Sequence, residues 1–176
     1  MIRLVEDLMA VSELESRQLL LGLEPVDIVS FLEPVVAERR LLASQRGVTV
    51  ELDYEDIPPV LMDRVRVERA LNNLLSNAVK SSPEGETVKV VVRRQDDNVV
   101  LIVADRGPGL GTATVEPLFQ PFVQRPKPAP TGEKGARLGL AIVRWVAEAH
   151  HGTVTARDRA GGGAAFVLQM PLAGRR

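Results

Sequence analysis

Two β-branched runs, TVKVVVRR at residues 87–94 and NVVLIVA at 98–104, are separated only by Gln95, Asp96 and Asp97. A connection that short joins neighbouring antiparallel strands, so the middle of the chain is committed to a β-hairpin. Everything before and after must pack against it. The alternating run VTVELDY at 48–54 adds a strand, and helical patterns stand on both sides of the hairpin, which together predict an α/β chain.

The segment before the hairpin, ERALNNLLSNAVKSS from Glu68 to Ser82, is apolar yet carries Asn73, Asn77 and Lys80. A helix turns about 100° per residue, so with Asn73 at zero, Asn77 falls at roughly 40°, Lys80 at roughly 340°, Arg69 at roughly 320° and Arg66 at roughly 20°. These residues form one stripe. Leu71, Leu74, Leu75, Ala78 and Val79 take the opposite arc and face a core. Asp63, following Pro58 and Pro59, suits the N-cap, and Ser81, Ser82, Pro83 and Gly85 end the helix. Two readings of the stripe stay open: a solvated surface face, or a site for phosphate and a metal ion. Asparagine forms helices poorly, and a pair at i, i+4 flanked by cations suits ligands better than water.

The 176 residues suit one domain of ordinary size with a core of its own, plus a short appendage. Lys and Arg (22) are balanced by Asp and Glu (23) and only 3% of residues are aromatic, which argues against a nucleic-acid partner. Zero cysteines exclude a disulfide framework and a thiolate metal site, and are compatible with a reducing cytosol. No apolar run approaches a membrane span, and Met1 to Ala10 lacks a signal-peptide pattern.

Residues 1 to about 21 read as a helix with Leu4, Leu8 and Val11 at coiled-coil-like spacing, a seam that seeks a partner. A short extended piece around Val26 to Ile28 leads to a helix ending near Arg46, with Gly47 as its stop. Residues 123–137, VQRPKPAPTGEKGAR, combine prolines, glycines and cations and read as a mobile loop. LGLAIVRWVAEAHHG is a helix, and the strands TVTARD and AAFVLQM close the chain across the glycines at 161–163.

Three motifs carry chemistry. DRGPGLG sets Asp105 at the end of a buried strand, with Gly107 and Gly109 in a turn where backbone can approach a ligand. Thr112 stands where a dinucleotide fingerprint needs its third glycine, which disfavours a Rossmann site. A carboxylate fixed there can accept a hydrogen bond from an exocyclic amine, as in adenine, or can be a solvated turn residue. EKGARLGLAIVRW places Gly135 and Gly139 around a helix start, where free N–H groups attract phosphate and Lys134 and Arg137 add charge. In LFQPF, Phe119 and Phe122 read as anchors of the loop base rather than stacking platforms.

In order, NNLLSNAVK, DRGPGLG, LFQPF and GARLGLAIV resemble the N, G1, F and G2 boxes of the ATP-binding domain of sensor histidine kinases, in the Bergerat-fold ATPase superfamily. The resemblance covers Glu24 to Leu172. It implies a two-layer α/β sandwich, with a mixed sheet, helices on one face and a mobile ATP lid. Residues 1–23 would be the end of a dimerisation helix and its linker, and 24–176 the catalytic domain. By the same resemblance Asn77 holds Mg²⁺, Asn73 and Lys80 lie beside the ATP phosphates, Asp105 binds the adenine amine, and Gly107 and Gly109 shape its pocket. Phe122, Gly135, Arg137, Leu138 and Gly139 complete the nucleotide site, with Asn73, Lys80 and Arg137 as the catalytic set. The implied partners are the phosphoacceptor helices of a homodimeric parent and a response regulator, and the implied location is cytoplasmic, in a parent that can be membrane-anchored.

Two departures stand against the pattern. Ser81 replaces the aromatic that often follows the N-box lysine, and Arg137 replaces the middle glycine of the G2 box, where it either grips the γ-phosphate or stiffens a loop that needs positive φ. They leave open a degenerate nucleotide-sensing or protein-binding module. ATP hydrolysis of the gyrase or chaperone kind is disfavoured, because those enzymes carry a glutamate where Asn73 stands. His150 and His151, the two histidines of the chain, read as a helix stop rather than as phosphate acceptors.

Overall fold

The predicted hairpin forms with a tighter connection than the polar run at 95–97 suggests. Gln95 pairs with Asn98 and belongs to the strand, which leaves Asp96 and Asp97 as a two-residue turn with Asp96 at φ 55°. Positive φ at the first turn position matches the twist of the flanking strands. The computed structural model describes residues 21–111, 115–120 and 138–173. Its elements are, in chain order, β1 (Glu24–Val26), α1 (Ile28–Ser44), β2 (Thr49–Tyr54), β3 (Val60–Met62), α2 (Arg64–Ser81), β4 (Thr87–Gln95), β5 (Asn98–Ala104), a 3₁₀ turn (Glu116–Phe119), α3 (Gly139–Ala149), β6 (Thr153–Asp158) and β7 (Ala164–Pro171). The predicted helix over residues 1–20, Thr112, Phe122 and the loop at 123–137 with Gly135 and Arg137 lie outside the described residues.

Five strands join in the order β2-β4-β5-β7-β6, with β2 parallel to β4 and the other neighbours antiparallel, so the sheet is mixed as expected. The sides differ sharply. Val88, Val90, Val92, Val99, Leu101, Val103, Leu168 and Met170 point to one face and are at most 1% exposed. The other face carries ion pairs in water, Lys89 with Glu51 and Arg93 with Asp53. Period-two alternation thus assigns one side to the core, and the three helices cover it.

Each helix is bounded by local chemistry. Asp27 caps α1 by accepting the Ser30 N–H at 2.7 Å, and Asp63 caps α2 through the Arg66 N–H at 3.1 Å. At the far end of α2, the Ser82 N–H returns to the Ala78 carbonyl. Along α2, Leu71, Leu74 and Leu75 are at most 1% exposed, each side chain contributing about 2 kcal/mol by burial. α3 stops at His150, and His151 takes φ 56°. Gly152 follows because a Cβ there would stand 2.0 Å from the Gln169 carbonyl oxygen.

One pairing escapes the sequence. β1 and β3 form a separate antiparallel ribbon, Glu24 opposite Met62 and Val26 opposite Val60, where sequence reasoning runs from the prolines straight into the helix. Among the described residues no helix is long and apolar enough to cross a membrane.

Candidate functional site

On α2 the polar stripe is neither core nor free surface: Asn73, Asn77 and Lys80 are half-buried, with their apolar neighbours packed on the opposite arc. Asn73 meets α3. A Cβ on Gly139, the first residue of α3, would lie 3.1 Å from Asn73 Oδ1, so two predicted site residues touch and the glycine permits it. Leu138 at the N-cap position is buried and offers no side-chain acceptor to the first turn. Those N–H groups are the ones an anion satisfies in other helices.

Arg66, on the same stripe, engages the helix start and α3. Its Nε donates to Asp63 Oδ2 at 3.1 Å and its guanidinium covers the Trp145 ring at 4.9 Å, which ties the start of α2 to α3. The cation is committed to packing. None of the stripe's members is fully exposed, and all are partly buried.

Asp105 follows β5 and is only 3% exposed, which rules out the solvated-turn alternative. Its Oδ1 accepts the Gly107 N–H at 2.8 Å and the Ala164 N–H at 3.1 Å, while its own N–H donates to the Ala164 carbonyl at 2.8 Å. The carboxylate is therefore held in one orientation by main chain on both sides. Gly107 has a packing reason as well: a Cβ there would lie 2.5 Å from the Ser81 carbonyl oxygen. The glycine brings the Asp105 loop onto the end of α2, beside Lys80. Arg106 N–H donating to Ser82 Oγ at 3.3 Å secures the same junction.

Phe119 is buried and meets Phe166 edge-on, with centroids 6.3 Å apart, so it anchors the loop base as expected. The cleft of about 180 Å³ between Val115, Phe119, Arg144, Glu148 and β6 contains none of the predicted site residues. Its walls are bridged by Arg144, which pairs with Glu116 and Glu148 at 2.7 Å each.

Sequence reasoning missed three contributors. Asp158, the last residue of β6, and Arg159 after it reach the Asp105 loop, and His150 has a role beyond ending a helix. His150 Nδ1–H donates to the Val146 carbonyl at 2.7 Å, and its Nε2 accepts the Asp63 N–H at 2.9 Å. The ring is thus a fixed neutral tautomer between α3 and the cap of α2, and burial pushes its pKa below the usual 6.5. Asp63 Oδ2 in turn accepts the Gly22 N–H at 3.1 Å. Sequence separation hides all three, because no local period encodes contacts across 87 or 48 residues.

The fold has counterparts among known proteins. The family model for histidine kinase-, DNA gyrase B- and HSP90-like ATPases matches residues 62–174. The alginate biosynthesis sensor protein KinB of Pseudomonas aeruginosa is 32% identical over 177 residues, covering 98% of this chain and 28% of that protein. The sensor-like histidine kinase SenX3 of Mycobacterium tuberculosis is 32% identical over 168 residues, covering 96% of this chain and 41% of its own. The chain therefore spans well under half the length of these curated relatives. Among solved structures, full-length ShkA in complex with AMPPNP superposes with a TM-score of 0.85 at 32% identity, over 98% of this chain and 36% of that one. The Acinetobacter baumannii histidine kinase AdeS gives a TM-score of 0.76 at 31% identity, over 96% and 76%. The chain belongs to the histidine kinase-, DNA gyrase B- and HSP90-like ATPase family and is a histidine-kinase ATPase domain of Bergerat fold.

Proposed function

We propose that this domain binds Mg²⁺ and ATP and delivers the γ-phosphoryl group to a histidine on a separate helical segment of a longer parent protein. The observation that carries the reading is the half-buried face of Asn73, Asn77 and Lys80, with Asn73 against the uncapped start of α3 and buried Asp105 beyond the other end of α2. That ShkA holds AMPPNP supports it. The donor chemistry fits as well. Asn77 supplies a neutral hard oxygen, suited to Mg²⁺ when a triphosphate already provides the negative charge. Bound there, Mg²⁺ would neutralise charge on the phosphates.

Asp105 Oδ1 is occupied by two N–H donors, so Oδ2 is the oxygen assigned to the adenine amine. Lys80 and Asn73 orient the phosphates, and Arg137, Gly135 and Phe122 join them by family resemblance. In the transfer, the acceptor imidazole nitrogen forms a bond to the γ-phosphorus as the bridging bond to the β-phosphate breaks, with ADP leaving. The acceptor is the nucleophile, so the domain contributes positioning and charge neutralisation. Hydrolysis is disfavoured because Asn73 offers no carboxylate to activate water.

In the parent, we assign residues 1–23 to the end of a dimerisation helix and its linker and 24–176 to the catalytic domain, a division supported by β1 beginning at Glu24. The parent would act as a homodimer and pass the phosphoryl group to a response regulator. Ser81 packs on Gly107 in place of a stacking aromatic, which favours as second reading a nucleotide sensor without transfer. Calorimetry with Mg²⁺–ATP on this chain, followed by label transfer from ATP in the full-length parent, separates them. Binding with transfer supports the kinase, binding without transfer supports the sensor, and no binding at millimolar ATP ends both.

A further inference from the structure

We infer that Asp158, the last residue of β6, and Arg159, the first residue of the turn to β7, are positioning residues that hold the 105–110 loop so that Asp105 discriminates adenine from other bases. This deepens the nucleotide reading above and rests on it.

The two side chains take the loop at its first and last residues. Arg159 Nη1 donates to the Asp105 carbonyl oxygen at 2.6 Å, and Asp158 Oδ1 accepts the Leu110 N–H at 2.6 Å. Both are charge-assisted and short, the stronger class of hydrogen bond. Gly109 admits the aspartate: at φ 76°, a Cβ there would stand 2.5 Å from Asp158 Oδ1. The return leg of the turn makes equally close contact, since a Cβ on Gly163 would lie 2.1 Å from the Asp105 carbonyl oxygen. Ala164 then supplies one of the two N–H groups that orient the Asp105 carboxylate. One turn therefore controls the backbone and the side chain of Asp105 together.

The turn is built to keep its own shape. Arg159 N–H donates to the Gly163 carbonyl at 2.9 Å and Gly162 N–H to the Arg159 carbonyl at 3.1 Å, with Gly161, Gly162 and Gly163 all at positive φ. Arg106 Nη1 adds a contact to the Gly161 carbonyl at 3.3 Å. Neither Asp158 nor Arg159 belongs to the hydrophobic core, and Asp158 is exposed. Asp158 bonds the Leu110 N–H and Arg159 the Asp105 carbonyl, both on the loop that carries Asp105, at the base end of the site rather than at Asn73 or Asn77. A residue that acts by ordering the base end should alter base preference without altering phosphate affinity.

The test uses the 176-residue chain with Arg159→Ala and Asp158→Ala, and with Arg159→Lys and Asp158→Asn, which keep a donor and an acceptor. Calorimetry compares Mg²⁺ complexes of ATP, GTP and inorganic tripolyphosphate. Both alanine variants should lose ATP affinity by about tenfold, the order expected for one lost ordering hydrogen bond, and their ATP-to-GTP preference should fall. Tripolyphosphate binding should stay unchanged, and Asp158→Asn should recover most of the loss. In the unliganded protein, Leu110 amide hydrogen exchange should quicken in Asp158→Ala but not in Asp158→Asn. An unchanged ATP-to-GTP ratio in all variants overturns the proposal, as does an equal loss for all three ligands. If an alanine variant fails to fold, Asp158→Ser and Arg159→Gln, which are too short to keep these bonds but stay polar, take its place in the same comparison, because a purely structural role moves Tm and not base preference. Wild-type protein that binds no nucleotide defeats the nucleotide reading itself, a result distinct from normal ATP binding with indifferent variants.

Discussion

His150 shows how one side chain can tie stability to pH without taking part in chemistry. Its ring accepts the Asp63 N–H and donates to Val146, an arrangement available only to the neutral form. Desolvation lowers its pKa, the Val146 bond and the Asp63 charge oppose that shift, and Arg66 and His151 add to it. The folded state therefore binds this proton less readily than the unfolded chain. Its contribution to stability is complete above about pH 6.5 and is lost as pH falls through the lowered folded value. Tm should fall from about pH 7.5 to about pH 5.5, and the slope should flatten in His150→Gln, which keeps an acceptor and does not titrate. An equal slope in the variant would remove His150 as the cause. Asp105 poses the complementary case. In Asp105→Asn the amide oxygen can still accept the Gly107 and Ala164 N–H groups, so Tm should hardly move. The amide nitrogen then faces the adenine amine, donor against donor, and ATP affinity should drop by about 1–3 kcal/mol in calorimetry. A large fall in Tm with ATP affinity intact would make Asp105 a structural residue.

On the proposed reading, helix α2 separates stability from ligand binding by its two faces. Leu74 is completely buried, and Leu74→Ala should cost about 2–5 kcal/mol in denaturant unfolding, with nucleotide affinity preserved wherever the protein remains folded. Asn77, half-buried on the other arc, should behave in the opposite way. Asn77→Ala should leave the unfolding midpoint within experimental scatter and abolish the Mg²⁺ dependence of ATP binding. A melted Asn77→Ala protein would mean that the stripe is structural. The split into a buried apolar arc and a half-buried polar arc was visible in the sequence because about 100° per residue is a local rule, but that rule is silent on what Arg66 does within the arc. Angle alone cannot show that a cation near the helix start is already held by its own cap and by Trp145.

For the molecule as a whole, legibility followed contact range. The hairpin, the three described helices and the two closing strands were readable because period and capping are written in neighbouring residues. The β1–β3 ribbon was not, since three residues between prolines and a helix cap carry no alternation long enough to register, and their partner lies 38 positions away at Glu24 opposite Met62. The Asp158 and His150 contacts were hidden for the same reason. Of the candidate site, the structure joins Asn73 to Gly139 and Gly107 to the end of α2, but the roles of Arg137, Gly135 and Phe122 rest on resemblance. The proposed separation of the domain from its acceptor yields the last prediction. The chain has two histidines, and both close a helix: His150 is buried with both ring nitrogens engaged, and His151 follows it in a positive-φ turn. The isolated chain should therefore bind ATP and fail to phosphorylate itself. A separately supplied dimerisation helix from the parent should restore only weak transfer, because nothing raises its effective concentration beside the site. Incubation with γ-labelled ATP followed by alkaline and acid washes is the measurement, since phosphohistidine survives base and is lost in acid. Stoichiometric acid-labile label on the chain alone would make His151 or His150 an acceptor, and for His150 would require Nε2 to give up the Asp63 N–H that its lone pair accepts.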